Sequence, residues 1–274
     1  MKEIILKRLK KFEQDNKVEV LLAVESGSRG WGFASEDSDY DVRFVYKHPN
    51  RRYLELRAPP MSHDWIEGEC DYEGYDVHKF YDLLLKSNMN IIDWLFQDVI
   101  YIDKLPEKDA LQRIVSTYFD RKTYIAHNYG LAMKNYHKYF MGNQVDAEPT
   151  VKRYVYCIRA LLSAQYCWYN NALAPLKFDD LLEATLHGTP QLAEMRAMVE
   201  EKKHTKEKAR YDNQWWRHKF ISKYLQIGPL EMPEQEEQKC ELPAHEVYYN
   251  LLNSHMIEWV LYDKSYLLHT QQPS

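Results

Sequence analysis

The sequence predicts an α+β protein in two parts, a small α/β part over residues 1–107 and an all-helical part over residues 108–274. Three observations support this division. Short strand-like runs separated by turn residues fill the first part. Long helical patterns replace them further along the chain. The 274 residues are 45% hydrophobic and 28% charged, which is an ordinary globular composition with enough apolar material for a core.

The first part is predicted from its hydrophobic patterns to contain a helix at 2–15, strands at 18–25, 39–46 and 71–77, a helix at 78–87, and a stretch at 90–102 that is helical and then extended. Residues 51–70, which are interrupted by Pro59 and Pro60, are expected to be irregular. The second part is predicted to contain helices at 108–119, 121–140, 150–170, 178–186, 190–208, 213–226 and 245–262. Residues 228–245 carry three prolines and are expected to form an exposed loop.

Several classes of protein are disfavoured by the composition. No run approaches the roughly 20 apolar residues of a membrane span. The N-terminus is predicted to be an amphipathic helix and lacks the cleavage site of a signal peptide. The four cysteines have no C-x-x-C spacing, so reduced thiols are expected and neither a disulfide framework nor a zinc ribbon is. We therefore expect a cytoplasmic protein without membrane partners.

The most informative segment runs from Gly27 to Asp41. Asp39 and Asp41 lie two residues apart on the second predicted strand, so their carboxylates project from one face. Mg²⁺ binds through one or two carboxylates together with substrate phosphates and water. Gly27 lets a triphosphate approach the backbone, and the Ser28 hydroxyl can donate to a phosphate oxygen. Asp76, at the end of the third predicted strand, is the candidate for the further carboxylate that two-metal catalysis uses.

Other interpretations of this segment fit less well. Asp37, Asp39 and Asp41 match the start of a calcium loop. That loop requires glycine and glutamate at two later positions, where the sequence has Val42 and His48. The glycine-rich stretch also lacks the G-K-[ST] of a Walker A loop and the G-x-G-x-x-G order of a dinucleotide site. A solvated acidic turn remains the alternative for the aspartate pair taken alone.

Two arginines accompany these carboxylates. Arg29 directly follows Gly27-Ser28 and is predicted to contact a β- or γ-phosphate, the alternative being an exposed loop cation. Arg43 lies two residues after Asp41 on the same strand face, where it can touch the substrate or form a structural ion pair.

One predicted helix carries a polar stripe of Lys152, Tyr156, Arg159 and Ser163, spaced i, i+4, i+7 and i+11. A polar stripe usually faces solvent. If this helix covers a nucleotide, Lys152 can bind phosphate and Tyr156 can stack on the base or ribose. His127 is expected to be structural, and Ser87-Asn88 is expected to cap and terminate a helix.

The arrangement strand, Gly-Ser, loop, Asp-x-Asp, strand resembles the DNA polymerase β-like nucleotidyltransferase superfamily. More narrowly, the sequence resembles the RlaP-type (RNA ligase-associated) predicted nucleotidyltransferases. The segments that carry the narrower resemblance are GSRGWGFASEDSDYDVRFVY, GYDVHKFYDLLLKSNMNIIDWL, KRYVYCIRALLSAQYCWYN and LAPLKFDDLL. The resemblance extends from about residue 18 to at least residue 182.

This resemblance implies a small mixed-sheet nucleotidyltransferase core with flanking helices over residues 1–107 and a helical domain over 108–274 that covers the active site. It implies catalytic and metal-binding roles for Asp39, Asp41 and Asp76, with nucleotide contacts from Gly27, Ser28, Arg29, Lys152 and Tyr156. The implied cofactor is Mg²⁺, as two ions that Mn²⁺ can replace.

The expected reaction moves a nucleoside monophosphate from an NTP to an acceptor hydroxyl and releases pyrophosphate. We expect an RNA acceptor, either tRNA or a broken RNA end. One alternative is a toxin-type or modifying transferase that acts on tRNA, protein or a small molecule. Another is a non-catalytic nucleotide or RNA sensor, which a position of Asp76 far from Asp39 and Asp41 would favour.

The RNA expectation rests partly on a basic segment. Residues 202–223 hold eight Lys and Arg against two acidic residues, a net charge of +6 in a chain of net charge −5. Trp215 and Trp216 lie within the segment, and basic residues interleaved with aromatics suit RNA. The alternative is a long solvated helix whose tryptophans pack on the bundle.

Overall fold

The computed structural model describes residues 1–140, 150–204, 221 and 244–261. The N-terminal part contains α1 (Lys2–Asn16), β1 (Glu19–Glu25), α2 (Gly27–Gly30), β2 (Tyr40–Lys47), α3 (Asn50–Tyr53), β3 (Ser62–Glu67), β4 (Cys70–Asp76), α4 (Val77–Leu85), α5 (Met89–Phe96) and β5 (Ile100–Asp103). The C-terminal part contains α6 (Lys108–Tyr118), α7 (Arg121–Phe140), α8 (Val151–Asn170), α9 (Phe178–Leu186), α10 (Pro190–His204) and α11 (Ala244–Leu261). The predicted α+β class is confirmed.

The five strands form one mixed sheet in the order β3-β4-β2-β1-β5. Strands β2 and β4 run parallel, and the other neighbouring pairs are antiparallel. In the parallel pair Asp41 lies level with Asp71, and Tyr46 lies level with Asp76. This register decides which acidic residues can meet, because every step along a strand moves a side chain by about 3.3 Å.

The two faces of the sheet pack against different helices. On one face, alternate residues of β2 and β4, including Phe44 and Tyr72, pack against Ile5, Leu9 and Phe12 of α1. On the other face, residues such as Val24 and Val45 pack in a larger cluster with α4, α5 and α6. The second face therefore lies against helices, and it is the face to which Asp41 and Arg43 belong by strand alternation.

A third buried cluster joins the helical part to the loop after α2. Phe33, which is fully buried, inserts among residues of α8, α9 and α10. Its ring makes edge contacts with Phe178 at a centroid separation of 5.5 Å and with Tyr156 at 5.7 Å. At the same junction Lys177 donates to the carbonyl of Gly30 at 2.8 Å, and Phe178 N donates to the carbonyl of Trp31 at 3.0 Å. The loop is thereby held against the helical part.

Most of the predicted elements are confirmed within one to three residues, but strand β3 falls in a region expected to be irregular. Its sequence has no apolar alternation, and its conformation follows from antiparallel pairing with β4, where Trp65 stacks on Tyr72 at 4.6 Å. The short helix α2 also lies where a loop was expected. The predicted helix 213–226, most of the basic segment and the predicted loop 228–245 lie almost entirely outside the described residues. None of the described helices combines the length and the apolar character required to cross a bilayer.

Candidate active site

Asp41 is the second residue of β2 and is held by the neighbouring strand β1. Its backbone N–H donates to the Glu25 carboxylate at 2.9 Å, and its carbonyl accepts from Ser26 N at 2.8 Å. Tyr101 of β5 donates to the other oxygen of Glu25 at 2.5 Å. Burial raises the pKa of Glu25, and the hydrogen bonds from Tyr101 and Asp41 oppose that rise. Glu25 therefore positions the backbone of Asp41 from inside the sheet.

Gly27 lies directly against the Asp41 side chain. It has a positive φ of +59°, and a Cβ at this position would lie 1.9 Å from Asp41 Oδ2. No side chain fits in that space. The group that approaches Gly27 most closely in the structure is the side chain of Asp41, and the approach of a triphosphate stays a prediction.

Ser28 and Arg29 occupy the helical turn that follows. Ser28 is buried, and its carbonyl accepts from Phe33 N at 2.9 Å. The Arg29 guanidinium donates to the carbonyl of Ser38 at 2.6 Å and to that of Asp39 at 3.2 Å, and it lies 3.9 Å from the Tyr40 ring centroid. In this arrangement Arg29 ties α2 to the loop before β2. Its contact with a phosphate stays a prediction.

Asp39 is exposed and immediately precedes β2. Burial raises the pKa of Asp41, and repulsion from Asp71 and Asp39 acts in the same direction. Arg43 and Lys152 oppose that rise by attraction. Lys152, predicted on α8 as a phosphate ligand, is therefore close enough to act electrostatically on Asp41, and the structure brings these predicted residues to one place.

Asp76 does not join this group, which corrects the expected triad. It lies level with Tyr46, five residues along β2 from Asp41, which is about 16 Å at the usual rise per residue. Its fully buried carboxylate caps α4 by accepting from His78 N at 2.9 Å, and it accepts from the Tyr53 hydroxyl at 2.7 Å. Asp76 is engaged in holding α3, β4 and α4 together.

Asp71 and Glu73 of β4 stand where the third carboxylate was expected. Arg43 Nη2 lies 3.0 Å from Asp41 Oδ1 and 2.8 Å from Asp71 Oδ2, so these two carboxylate oxygens are within about 6 Å of each other. Arg43 Nε lies 3.6 Å from Glu73. The ion pair foreseen for Arg43 is present, and it gathers three carboxylates at the edge of one cleft.

This cleft has a volume of about 390 Å³ and lies between the sheet, α2, α4, α5 and α8. Its lining includes the backbone of the Gly27 turn, the carboxylates Asp41, Glu73 and Asp93, the cations Arg43 and Lys79, the amides Asn88 and Asn90, and the aromatic side chains Trp31, Tyr75, Trp94 and Tyr156. Charged groups and aromatic rings are interleaved in this lining: Lys79 Nζ lies 3.7 Å from the centroid of the Tyr75 ring, and Trp31 Nε1 donates to Asp93. Such a mixture suits a ligand that combines phosphates with a planar group.

Tyr156, which was predicted to contact the nucleotide, lies in the cleft wall. Its ring meets Trp31 edge-on at a centroid distance of 5.4 Å, and Lys152 Nζ lies 5.9 Å from the Tyr156 ring centroid. One turn further along α8, Arg159 pairs with the buried Asp93 at 3.0 Å. Tyr156 of the polar stripe therefore lines the site, and Arg159 of the same stripe reaches it through Asp93.

The geometry of the described residues does not include a preformed metal site with three protein ligands. Within residues 1–140, 150–204, 221 and 244–261, no three His, Cys, Asp or Glu side chains are arranged as a ready metal site. Asp39 and Asp41 form an acidic pair, and Asp71 and Glu73 lie beside it with Arg43 between.

Comparison with known protein families agrees with the nucleotidyltransferase resemblance of the sequence. Residues 1–253 match the model of the RlaP family, described as the RNA repair pathway DNA polymerase beta family. The chain belongs to this family. It is therefore a nucleotidyltransferase of the polymerase β type.

Two individual proteins are also similar to the chain. An uncharacterized protein of Bacillus subtilis (strain 168), YcgL, is 31% identical over 208 residues, which are 76% of this chain and 78% of that protein. The crystal structure of a nucleotidyltransferase-like protein from Exiguobacterium sibiricum 255-15 overlaps 94% of this chain and 79% of its own, with 9% identity and a TM-score of 0.33. That overlap is too loose to support an inference about this RlaP family member.

Several residues of the site were not predicted from the sequence. Neither Trp31, in the turn after α2, nor Lys79, on the amphipathic helix α4, carries a local sequence signal of a ligand role. Asp93 had a usable signal, since it is a single carboxylate within the apolar run MNIIDWLF of α5. Ser87-Asn88 was expected to cap and terminate the preceding helix. α4 does end just before this pair, but the Asn88 side chain caps the start of the next helix, α5: its Oδ1 accepts from Asn90 N at 3.1 Å and from Ile91 N at 3.3 Å.

Proposed function

We propose that this RlaP family member transfers a nucleoside monophosphate from an NTP to a hydroxyl at an RNA end. The coarser activity, nucleotidyl transfer, follows from the family. The finer proposal is supported by one observation above the others. The Gly27 backbone and the half-buried Asp41 carboxylate meet in a cleft of about 390 Å³ whose lining also carries cations and four aromatic side chains.

We propose Mg²⁺ as the cofactor, with Mn²⁺ as a substitute. The donor set fits this choice because Mg²⁺ needs only one or two carboxylates when phosphates and water complete its shell, and Asp39 and Asp41 supply them. The three carboxylates around the Arg43 guanidinium give the site a concentration of negative charge, which supports the binding of a further cation. A second ion would draw on Asp71 and Glu73. When bound, the metal would neutralise phosphate charge and polarise the α-phosphate.

The chain's own residues would then divide the reaction between them. Arg43, Lys79 and Lys152 provide positive charge for the triphosphate. The acceptor hydroxyl oxygen forms the new bond to the α-phosphorus, the bond from that phosphorus to the pyrophosphate oxygen breaks, and pyrophosphate leaves with its electron pair. The hydroxyl proton passes to a carboxylate of the β4 pair, Asp71 or Glu73, in the place first predicted for Asp76.

The RNA acceptor is supported by the family description and by the charge of the basic segment. The described residues add little to it. Lys202, at the start of the segment, is buried, and Lys203 pairs with Glu200 at 2.6 Å. The other cations of the segment lie outside the described residues.

A pyrophosphate-release assay tests the proposal. The purified protein is incubated with Mg²⁺, each labelled NTP, and RNA with defined 5′ and 3′ ends, tRNA or total protein. Label should appear on an RNA end with stoichiometric pyrophosphate. Asp41→Asn should lower the rate by at least about 100-fold, since one lost catalytic carboxylate costs several kcal/mol of transition-state stabilisation. Asp71→Asn and Glu73→Gln identify which β4 carboxylate takes the proton, and Asp76→Asn serves as the control outside the cleft.

Other outcomes point elsewhere. Label on protein or internal tRNA positions would replace the RNA-end proposal with a modifying transferase. The sensor alternative gains from the observation that Asp76 is remote from Asp41. It predicts Mg²⁺-dependent NTP binding without pyrophosphate from any acceptor. Unchanged transfer in Asp41→Asn would remove the proposed site altogether.

A further inference from the structure

The innermost charged group of the cleft is Asp93, which the proposed transfer does not use. It lies on α5, it is 6% exposed, and it lines the same cleft as Asp41. A carboxylate is costly to bury unless its oxygens are paired, so its partners indicate what remains to be satisfied.

Both partners of Asp93 use the same oxygen. Arg159 Nη2 donates to Oδ2 at 3.0 Å, and Trp31 Nε1 donates to Oδ2 at 3.2 Å. Among the described residues, no hydrogen bond reaches Oδ1. Burial raises the pKa of Asp93, and the charge of Arg159 and the hydrogen bonds from Arg159 and Trp31 oppose that rise by favouring the ionised carboxylate. With both donors on Oδ2, Oδ1 is the oxygen left to accept a further hydrogen bond.

The surroundings of Asp93 suit a planar group. The Arg159 guanidinium lies 3.9 Å from the centroid of the Trp31 ring and covers one face of it. Trp31 itself is half-buried and lines the cleft, as do Tyr156 and the stacked pair Tyr75 and Trp94, whose centroids are 4.9 Å apart. Every nucleobase offers a ring to such walls, so the aromatic side chains alone do not discriminate between bases.

Resting on the proposed function, we infer that Asp93 is the base-selecting residue: its Oδ1 accepts a hydrogen bond from the exocyclic amino group of adenine or cytosine. These two bases present an amino group where guanine, hypoxanthine and uracil present a carbonyl oxygen. A carbonyl oxygen opposite Oδ1 would place two acceptors together in a buried site. A guanine binding through N1–H and its 2-amino group would need both oxygens of Asp93, and Oδ2 is already occupied.

The arrangement makes an unusual prediction for Asp93→Asn. Arg159 and Trp31 are both donors, so they hold the amide oxygen of the variant, and the new NH₂ group faces the cleft. In the variant, the side chain at this position donates a hydrogen bond to the base, whereas the Asp93 carboxylate accepts one. Base preference should shift towards the carbonyl bases, beyond a simple loss of affinity.

Equilibrium binding separates this inference from the proposed transfer. With Mg²⁺ and α,β-methylene triphosphates, we compare adenosine with inosine, and cytidine with uridine, in the wild type, Asp93→Asn and the exposed control Asp82→Asn. In the wild type an amino base should bind about 10- to 100-fold more tightly than its carbonyl counterpart, the range expected for a hydrogen bond to a charged group. The adenosine and cytidine arms show which amino base is preferred. Asp93→Asn should abolish or invert the ratio, and Asp82→Asn should leave it unchanged.

Equal binding within both pairs in the wild type would overturn the inference, and that comparison requires no variant to fold. An unchanged ratio in folded Asp93→Asn, with only a lower melting temperature, would show that the pair with Arg159 is merely structural. Either result would leave nucleotidyl transfer standing, because pyrophosphate release is measured separately.

Discussion

Gly27→Ala tests the contact on which the proposed site depends. The new methyl group would lie 1.9 Å from Asp41 Oδ2, whereas ordinary contacts of a Cβ begin near 3.4 Å, so the carboxylate must move by more than an ångström. A displacement of about 1 Å in a catalytic group costs about 100-fold in rate. The positive φ of +59° adds backbone strain of about 1–2 kcal/mol. For a chain of this size that strain lowers the melting temperature by about 2–8 °C.

The measurement pairs kcat/KM for pyrophosphate release with a thermal melt, and Gly188→Ala is the matched control. Gly188 has a φ of +72°, but nothing lies within 4 Å of the position its Cβ would take. Both variants should lose similar stability, and only Gly27→Ala should lose transfer by about 100-fold or more. If Gly27→Ala retained transfer within about 3-fold of Gly188→Ala, the cradle between Gly27 and Asp41 would not be part of the active site.

Three further outcomes are expected. Asp76→Ala should lower the free energy of unfolding by about 2–4 kcal/mol, because a helix cap and the partner of a buried hydroxyl are lost. The kcat of the folded fraction should stay within about 3-fold of wild type. A chemical melt measures the first effect, and kinetics with an active-site titration measure the second. Lys177→Met should cost about 1 kcal/mol and raise KM for NTP by freeing the carbonyl of Gly30, as steady-state kinetics would show. Burial raises the pKa of Cys157 and Cys167 to about 12, whereas the value in the unfolded chain is near 9. Above pH 9 the unfolded chain therefore loses these protons first. The stability that the two thiols contribute is complete below pH 9 and is lost as the pH rises towards 12. Urea melts at pH 8 and pH 10 test that slope, and labelling of either thiol at pH 8 in the native protein would contradict it.

Local sequence patterns predicted most of the helices and strands and some of the residues that line or adjoin the cleft. The Gly27 turn and the Asp39-x-Asp41 strand start were predictable because strand alternation and glycine conformation are properties of a few neighbouring residues. The same holds for Lys152 and Tyr156, whose spacing places them on one face of α8.

The structure places Asp76 and Arg29 in contacts that the sequence did not predict, because these contacts depend on packing between elements. Asp76 was placed with the pair by its position at a strand end, but the β2–β4 register brings Asp71 level with Asp41. The neighbouring strand β3, whose sequence has no apolar alternation, likewise forms by pairing with β4. The Arg29 guanidinium is engaged by loop carbonyls, which only the folded loop could show.

The sequence by itself therefore determined the α+β class, most helices and strands, and the acidic pair beside a glycine turn, since each rests on periodicity or on the backbone freedom of single residues. The tertiary structure decided which further carboxylates meet that pair, which cations face the cleft, and that Asp93 lies buried in the cleft wall with both of its donors on one oxygen. These are distances between elements remote in the chain. They are set by strand register, by the packing of α5 against the sheet, and by the packing of α8 against the loop after α2.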